Sequence, residues 1–267
     1  MLVSIIIPAY RQEKNIKEDI RRIYNVMTKT RWDFEIIVVV DGFLDRTYEE
    51  AKSIELAEVT VVGYKENKGK GYAVRYGMAR AVGDYISFID AGMDIDPNGI
   101  SMLLEHMEWY NADVIVGSKG HPVSKSNYPI IRKLYSVVYH LIVRLLFGLK
   151  IRDTQTGLKV YRREVLEKIL PRLLVKRFAF DIEILAVSHY LGFKRIFEAP
   201  VDIQWDEKNT NFTPLIIFDR NIRFMLIDTA AIFYRLHILK YYDDKRKRIW
   251  KYDPDLELHI NTGELEK

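Results

Sequence analysis

A cluster of carboxylates follows a short apolar stretch in the first half of the chain. Asp90, Asp94 and Asp96 come within seven residues, directly after DYISFI. On an extended segment, side chains two positions apart share a face, and carboxylates so placed can hold a divalent cation that binds a diphosphate. Asp94 and Asp96 could also cap a helix beginning near Pro97. We take Asp96 as the cap and expect a functional role for Asp90.

A glycine-rich segment, NKGKG at 67–71, lies between a predicted strand and a predicted helix. Glycines let the backbone approach a ligand, and a helix N-terminus attracts anions. Lys68 and Lys70 add positive charge. The spacing differs from that of a Walker A loop, and an ordinary glycine-rich turn would have the same composition.

Positive charge is concentrated in one part of the chain. The segment 119–163 carries ten Lys or Arg and one acidic residue, whereas the net charge of the whole chain is +4. Such a local field suggests an anionic partner, for which phosphate, anionic lipid and nucleic acid all qualify. A solvated basic surface would produce the same pattern.

The first half alternates β-branched runs with helical periodicity. Strands are predicted at 2–8, 34–40, 58–63 and 84–89, and helices at 13–28, 47–55 and 71–82. This alternation indicates βαβ units and an open, mostly parallel sheet. Right-handed crossovers place the loops that follow the strands along one edge, where ligands bind. Tyr10, Glu13, Asp41 and Asp90 should therefore meet at that edge.

The second half has a different character. Helices are predicted at 97–111, 130–149, 163–170 and 180–191, and strands at 113–117, 158–161 and 194–203. In the predicted helix 130–149, polar residues recur at every fourth position and the remainder is broadly apolar. Such a helix fits burial in the core and a position at a membrane interface about equally well. From 209 the pattern predicts helices, followed by a charged tail from 241. We therefore predict a catalytic domain at 1–208 and an amphipathic helical extension with a charged tail at 209–267.

Composition excludes several classes of protein. The chain of 267 residues has no cysteine, so disulfide scaffolds, zinc ribbons and thiol nucleophiles are ruled out. Its 48% hydrophobic and 29% charged residues are typical of a globular domain. The longest apolar stretches, 130–149 and 215–239, carry several charges each, and we expect neither to span a bilayer.

Seven segments of the chain match the motifs of a known family and stand in the same order: SIIIPAYRQEKNI, VVDGFLDRT, NKGKGYAVRYGMARAVGDYISFIDAGMD, VGSK, DTQTGLKVYRREVL, FDIEIL and EAPVDIQW. Together they resemble the family-2 glycosyltransferases of the GT-A fold. The chain is most similar to the branch of dolichol-phosphate mannose synthases and polyprenyl-phosphate glycosyltransferases. The resemblance implies an α/β, Rossmann-like fold with a mostly parallel central sheet flanked by helices and a C-terminal helical extension.

The resemblance also implies roles on the donor side. The residues that should bind the nucleotide-sugar are Pro8, Tyr10, Glu13, Asp41, Lys70 and Asp90. Asp90 stands at the first position of the DxD motif, whose aspartates bind Mg²⁺ or Mn²⁺ and the donor diphosphate. The second position is Gly92, so Asp94 becomes the second candidate metal ligand.

On the acceptor side, the resemblance implies that Arg132 faces the acceptor phosphate. Lys119, Thr156 and Gly157 match neighbouring acceptor positions. Asp90, Arg132 and Asp181 are the implied catalytic residues. Asp181 and Glu183 match an FDxE helix, in which Asp181 should face the site, although a structural pair holding neighbouring arginines would fit both positions.

The implied activity is inverting transfer of a hexose, mannose or glucose, from a GDP- or UDP-sugar to a polyprenyl phosphate. An ionised lipid phosphate needs cations rather than a strong base, since the second pKa of a phosphate monoester is about 6. A glycan hydroxyl would need a carboxylate base, for which Asp153 and Asp181 are the candidates. Gln204 and Trp205 do not form the QxxRW motif of processive synthases, which favours the lipid phosphate.

Partners and location follow from that acceptor. We expect peripheral contact with the cytoplasmic face of a membrane and no nucleic-acid partner, since nucleic-acid binding would not explain the carboxylates. Two alternatives stay open. The acceptor could be a glycan hydroxyl, or the chain could bind a nucleotide-sugar without turnover because Gly92 replaces an aspartate.

Overall fold

A seven-stranded sheet forms the centre of the molecule and is covered by helices on both faces. The computed structural model describes residues 1–124, 130–203, 220–243 and 247–265, with the backbone alone at 130–137 and 220–221. The predicted boundary at 208 and the residues Gln204 and Trp205 lie outside the described residues.

The strands are β1 (Leu2–Ala9), β2 (Asp33–Asp41), β3 (Val59–Tyr64), β4 (Tyr85–Ile89), β5 (Val114–Ser118), β6 (Leu158–Arg162), β7 (Ile196–Pro200), β8 (Arg248–Asp253) and β9 (Leu258–Leu265). The helices are α1 (Ile16–Met27), α2 (Thr47–Lys52), α3 (Lys70–Arg80), α4 (Asn98–Trp109), α5 (Ile130–Phe147), α6 (Arg163–Ile169), α7 (Phe180–Tyr190) and α8 (Arg220–Phe233). A π-helical turn, Tyr234–Ile238, continues α8.

The strand order is β3-β2-β1-β4-β6-β5-β7. Strands β1 to β4 run parallel to one another, so the predicted mostly parallel sheet is confirmed. Strand β6 is the exception, since it runs antiparallel to both β4 and β5. The sequence did not predict this reversal. It matters for the site because β6 enters the sheet beside the end of β4, with Phe88 opposite Lys159 and Ile89 opposite Leu158.

The two faces of the sheet bury alternate residues of the same strands, as the period of two requires. One face packs Ile6, Val39 and Phe88 against α3 and α7. The other packs neighbouring strand residues, such as Ile5 and Val38, against α1 and α4. The predicted central position of β2 is confirmed, because it lies between β3 and β1.

The predicted helical C-terminal extension is confirmed by α8 and the π-helical turn, whereas the predicted charged tail contains a hairpin that the sequence did not indicate. After α8 and the π-helical turn, β8 and β9 form an antiparallel hairpin. Its turn is stabilised locally, because the carboxylate of Asp253 accepts hydrogen bonds from the backbone N–H groups of Asp255 and Leu256. The hairpin is joined to the sheet domain by ion pairs of Lys68 with Asp255 at 2.8 Å and of Arg80 with Glu257 at 2.7 Å. Part of the charge in this segment therefore pairs with the sheet domain.

The prediction that no apolar stretch spans a bilayer concerns α5 and α8 above all. Among the helices within the described ranges, none combines the length and hydropathy that a membrane-spanning segment needs.

Candidate active site

Asp41, at the carboxyl end of β2, organises the glycine-rich loop. Its carboxylate is 3% exposed and accepts hydrogen bonds from the Tyr64 hydroxyl, the Asn67 side-chain amide and the backbone N–H groups of Lys68 and Gly69. These bonds are between 2.7 and 3.0 Å long. Asp41 therefore holds the loop that opens α3, and its carboxylate is already engaged by the protein.

Lys70 begins α3 and extends to the end of β4. Its Nζ donates to Asp90 Oδ2 at 2.8 Å, while Asp90 Oδ1 is buried and has no hydrogen-bond partner. Burial acts to lower the pKa of Lys70, but the carboxylates of Asp181 and Asp90 outweigh it and hold that pKa above its ordinary value. A stable cation thus lies beside a carboxylate with one unused oxygen.

Gly157 makes room for Asp90. The backbone N–H of Asp90 donates to the Gly157 carbonyl at 2.9 Å, and a Cβ at Gly157 would come within 2.1 Å of Asp90 Oδ2. Any side chain at position 157 would therefore displace the carboxylate. By contrast, a Cβ at Gly92 would meet nothing within 4 Å, and Gly92 adopts a positive φ of 91°.

Asp181, in the first turn of α7, is 2% exposed and lies between two lysines. It accepts hydrogen bonds from Lys159 Nζ at 2.5 Å and from Lys70 Nζ at 3.4 Å. Burial acts to raise the pKa of Asp181, but Lys159 and Lys70 outweigh it and hold that pKa below the ordinary value of 3.8. Among the described residues, Asp181 contacts the site through Lys70, and its ion-pair partners are lysines rather than the arginines considered above.

The fit of a divalent cation depends on Asp90. Its unpartnered Oδ1 is a suitable oxygen ligand, and no side chain crowds the neighbouring Gly92. Asp94 lies exposed four residues further on. No group of three acidic or histidine side chains that could hold a metal occurs among the described residues. Mg²⁺ commonly uses one or two protein carboxylates plus substrate phosphates, so the residues fit such an ion.

A cleft of about 460 Å³ opens where the loops after β1 and β2 meet. Arg11, Glu13, Leu44 and Asp45 are among its lining residues. Glu13 accepts a hydrogen bond from the backbone N–H of Arg46 at 3.2 Å, which joins the two loops. Pro8 lies near the end of β1, and Tyr10 is 44% exposed beside the cleft loop. The expected nucleotide residues thus lie at the carboxyl edge of the sheet, and their contact with a nucleotide stays a prediction.

The predicted acceptor residues are less completely described. The side chain of Arg132 lies outside the described residues. Thr156 is fully buried with an unpartnered hydroxyl, directly before Gly157. The backbone N–H of Lys119 donates to Asp153 Oδ2 at 3.2 Å, and Asp153 Oδ1 accepts from the backbone N–H of Gln155.

Glu183 belongs to a different cluster. It is fully buried, and its carboxylate accepts hydrogen bonds from the backbone N–H groups of Leu174 and Val175, from Arg235 and from the Tyr242 hydroxyl. Burial raises the pKa of Glu183. Glu183 therefore attaches the C-terminal part to α7 and does not reach the site.

Lys159 is the site residue that sequence reasoning missed, since it was counted only as part of the basic segment. A signal was present in LKVYR, where strict alternation puts Lys159 on a buried face of the sheet. A buried lysine needs a carboxylate partner. The carboxylates of the predicted FDIEIL helix, Asp181 and Glu183, were the candidates for that partner.

Comparisons with known proteins give the following matches. The sequence profile of the family described as Glycosyl transferase family 2 matches residues 4–170. A dolichyl-phosphate beta-glucosyltransferase of Dictyostelium discoideum is 30% identical over 220 residues, covering 77% of this chain and 66% of that protein. The human dolichyl-phosphate beta-glucosyltransferase is 28% identical over 223 residues, covering 77% and 67%. The chain spans about two thirds of the length of these relatives.

Solved structures share the fold. Glucosyl-3-phosphoglycerate synthase from Mycobacterium tuberculosis, in complex with Mn²⁺, UDP-glucose and phosphoglyceric acid, matches with a TM-score of 0.63 and 18% identity. The match covers 94% of this chain and 84% of that one. The complex of the same enzyme with UDP matches with a TM-score of 0.64 and 17% identity, with the same coverage. The GT-A fold expected from the sequence is therefore confirmed.

Proposed function

This chain is a member of glycosyl transferase family 2, and from that premise we propose that it transfers glucose from a nucleotide-sugar to a polyprenyl phosphate of the dolichyl type, with inversion at the anomeric carbon. The observation that carries the proposal is the unpartnered Oδ1 of Asp90 beside Lys70. The names of the relatives support glucose over mannose. Lys70 and Asp90 lie where a donor diphosphate would bind in a sheet of this kind.

Departure of the nucleotide diphosphate leaves negative charge on its phosphate oxygens. Lys70 is held at the end of β4 by Asp90 and Asp181, so its ammonium group is already oriented and needs no rearrangement as that charge develops. Asp41 accepts the backbone N–H groups of Lys68 and Gly69 and so fixes the loop from which Lys70 extends. A divalent cation, Mg²⁺ or Mn²⁺, would be held by Asp90, with Asp94 as a second candidate, and would neutralise phosphate charge when bound.

A phosphate acceptor suits the site better than a hydroxyl acceptor. A hydroxyl needs a general base, and the two candidates are occupied by the protein. Asp181 is buried between two lysines, while both oxygens of Asp153 accept backbone hydrogen bonds. An ionised phosphate needs only cations to bind it. Lys119 and Arg132, with the Thr156–Gly157 turn, are the residues we propose for the acceptor phosphate.

An exposed apolar surface adjoins the acceptor turn, which supports a lipid acceptor and peripheral membrane contact. The surface comprises residues of α5, α8 and the π-helical turn that are between 37% and 86% exposed: Val138, Leu141, Ile142, Leu145, Phe224, Leu226, Ile227, Tyr234 and Ile238. The two helices are joined by a hydrogen bond of 2.7 Å between Tyr139 and Thr229. Gln155 donates to Met225 Sδ, which links this surface to the turn before Gly157. Exposed patches of this kind mark interaction sites.

A transfer assay tests the acceptor. Purified protein is incubated with Mn²⁺ or Mg²⁺, UDP-glucose, GDP-glucose or GDP-mannose, and either dolichyl or undecaprenyl phosphate, and the lipid fraction is read by mass spectrometry. We expect a polyprenyl-phosphate hexose from UDP-glucose. Glucose transferred only to added glycans would favour the hydroxyl acceptor, while donor binding without any product would favour a binding protein.

Membrane contact has its own test. Sedimentation with liposomes that contain anionic lipid should retain the wild-type protein, and the variant with Leu141→Ser and Leu145→Ser should lose most of that retention. The matched control is Met102→Ser with Trp109→Ser, which changes exposed apolar residues of α4 instead. Equal retention of both variants would contradict the proposed surface.

A further inference from the structure

Four charged side chains form a chain of alternating sign beneath the proposed donor site. In order they are Asp90, Lys70, Asp181 and Lys159, and we call them the four-charge chain. The contacts that join them are 2.8 Å, 3.4 Å and 2.5 Å long. Asp90 is the member at the surface, and the other three recede into the core between β4, β6, α3 and α7.

Lys159 is the innermost member. Its side chain is fully buried, and its Nζ donates to Asp181 Oδ1 at 2.5 Å and to the Thr156 carbonyl at 2.6 Å. The register of β4 and β6 places Lys159 opposite Phe88, and the ammonium lies 5.0 Å from the centre of that ring. Lys159 has no route to a nucleotide or an acceptor, so any part it plays is indirect.

The distances show how the charges are shared. The shorter ion pair of Asp181 is the one with Lys159. Lys70, in turn, lies closer to Asp90 than to Asp181. Without Lys159, the buried carboxylate of Asp181 would have Lys70 as its sole cationic partner among these four residues. An unpaired buried charge is costly, so Lys70 would be drawn towards Asp181 and away from Asp90.

We propose that Lys159 is a positioning residue that neutralises Asp181 and so leaves Lys70 directed at Asp90 and the donor diphosphate. The proposal rests on the proposed function for the identity of that diphosphate. It gives Asp181 itself no catalytic part, since Asp181 contacts Lys70 and touches no reacting atom. The burial of Asp181 and its depressed pKa agree with a permanently ionised partner rather than a proton acceptor.

The test uses charge compensation. Lys159→Gln leaves Asp181 unneutralised, and we expect UDP binding in the presence of Mn²⁺ to weaken about tenfold by calorimetry, a loss typical of residues that support a binding site from behind. The double variant Lys159→Gln with Asp181→Asn removes both charges, so binding should return to within about threefold of the wild type. GDP is measured in parallel in case it is the preferred nucleotide.

The matched control is Arg235→Gln, which removes the cationic partner of the other buried carboxylate of α7, Glu183. This variant should lose thermal stability while nucleotide binding stays unchanged. If Lys159 were merely structural, Lys159→Gln would behave in the same way, with a lower Tm and wild-type affinity in the folded fraction. That result would overturn the proposal, and so would a double variant that binds as weakly as Lys159→Gln.

Crystal structures without ligand provide a readout that needs neither binding nor transfer. In Lys159→Gln, Lys70 Nζ should leave Asp90 and pair with Asp181, and an unchanged contact between Lys70 and Asp90 would contradict the proposal. If Lys159→Gln does not fold, the double variant alone is decisive, because tenfold weaker binding there would overturn the proposal. A wild-type protein that binds UDP but transfers no sugar would refute the proposed function and leave this test intact.

Discussion

Asp181 and Glu183 lie two residues apart in the first turn of α7, and both are buried, but they belong to clusters of different character. The cluster around Glu183 is closed, since its two oxygens accept four hydrogen bonds from the backbone, Arg235 and Tyr242. The cluster that contains Asp181 is open at one end, because Asp90 Oδ1 has no partner. Buried polar groups are normally satisfied, so an unsatisfied oxygen marks the end that meets a ligand. A closed cluster holds the fold together, whereas an open one is available for chemistry.

The largest effect should come from the open end. Asp90→Asn removes the charge beside the unpartnered oxygen, and we expect kcat to fall about 100- to 1000-fold, as when a preorganised electrostatic group is lost. Thermal stability should change little, because the side chain is 41% exposed. Asp96→Asn is the control, since Asp96 accepts a hydrogen bond from the backbone N–H of Asn98 at the start of α4. Equal activity of the two variants would contradict the distinction between the clusters.

The closed cluster should respond in stability. Glu183→Gln replaces an oxygen that accepts two hydrogen bonds with an NH₂ group that accepts none, and should cost about 2 kcal/mol of unfolding free energy, or about 4–8 °C in Tm. The folded fraction should bind UDP normally. Glu257→Gln breaks the exposed ion pair with Arg80 and should cost less than about 1 kcal/mol. Calorimetric melting of both variants, followed by UDP titration, measures the difference.

Gly157→Ala tests whether the position of Asp90, and not only its charge, matters. The new Cβ would overlap Asp90 Oδ2, so we expect kcat to fall about 10- to 100-fold with correct folding. In Gly120→Ala, the nearest atom would be the Arg152 Cβ at 3.4 Å, an ordinary contact, and activity should be retained. Wild-type turnover in Gly157→Ala would show that Asp90 tolerates displacement.

The smallest effect is a difference in the pH dependence of stability. The pKa of Asp181 lies below 3.8, so its stabilising contribution is complete above that value and is lost as the pH falls through the lowered pKa. The pKa of Glu183 lies above 4.5, so its ionisation reduces stability as the pH rises from 4.5 through the raised pKa. Urea unfolding from pH 3 to pH 7 measures both effects. The unfolding free energy of the wild type relative to Asp181→Asn should rise with pH, whereas its value relative to Glu183→Gln should fall with pH. Parallel slopes would mean that the two carboxylates share one environment.

Periodicity was sufficient for the sheet domain because its signals are local. Apolar runs such as β2 and the period of α1 predicted elements whose observed bounds differ by a few residues at most. The reversed direction of β6 could not be predicted in this way, since a five-residue strand of alternating side chains has the same pattern in either direction. The β8–β9 hairpin was missed because its charged residues pair with Lys68 and Arg80, which are distant in sequence.

The site residues that could be predicted are those whose type and position in the sequence indicate a single role. Asp90 and Lys70 were identified from a carboxylate after a strand and a lysine at a helix N-terminus, and they are in contact. The inward role of Asp41, as the acceptor of hydrogen bonds from the glycine-rich loop, depends on the curvature of that loop and left no pattern in the sequence. The partnership of Lys159 with Asp181 joins two segments whose proximity only the packing of α7 on β6 creates.

The hairpin has a consequence for how the molecule is made. Lys68 pairs with Asp255, 187 positions later. Strands β1 to β4 are synthesised before β8 and β9, so the flank of α3 gains this contact only once the hairpin has been made. Contacts between such distant segments form late, because closing a large loop costs entropy. The flank of α3 therefore gains this contact from a segment that is translated long after it.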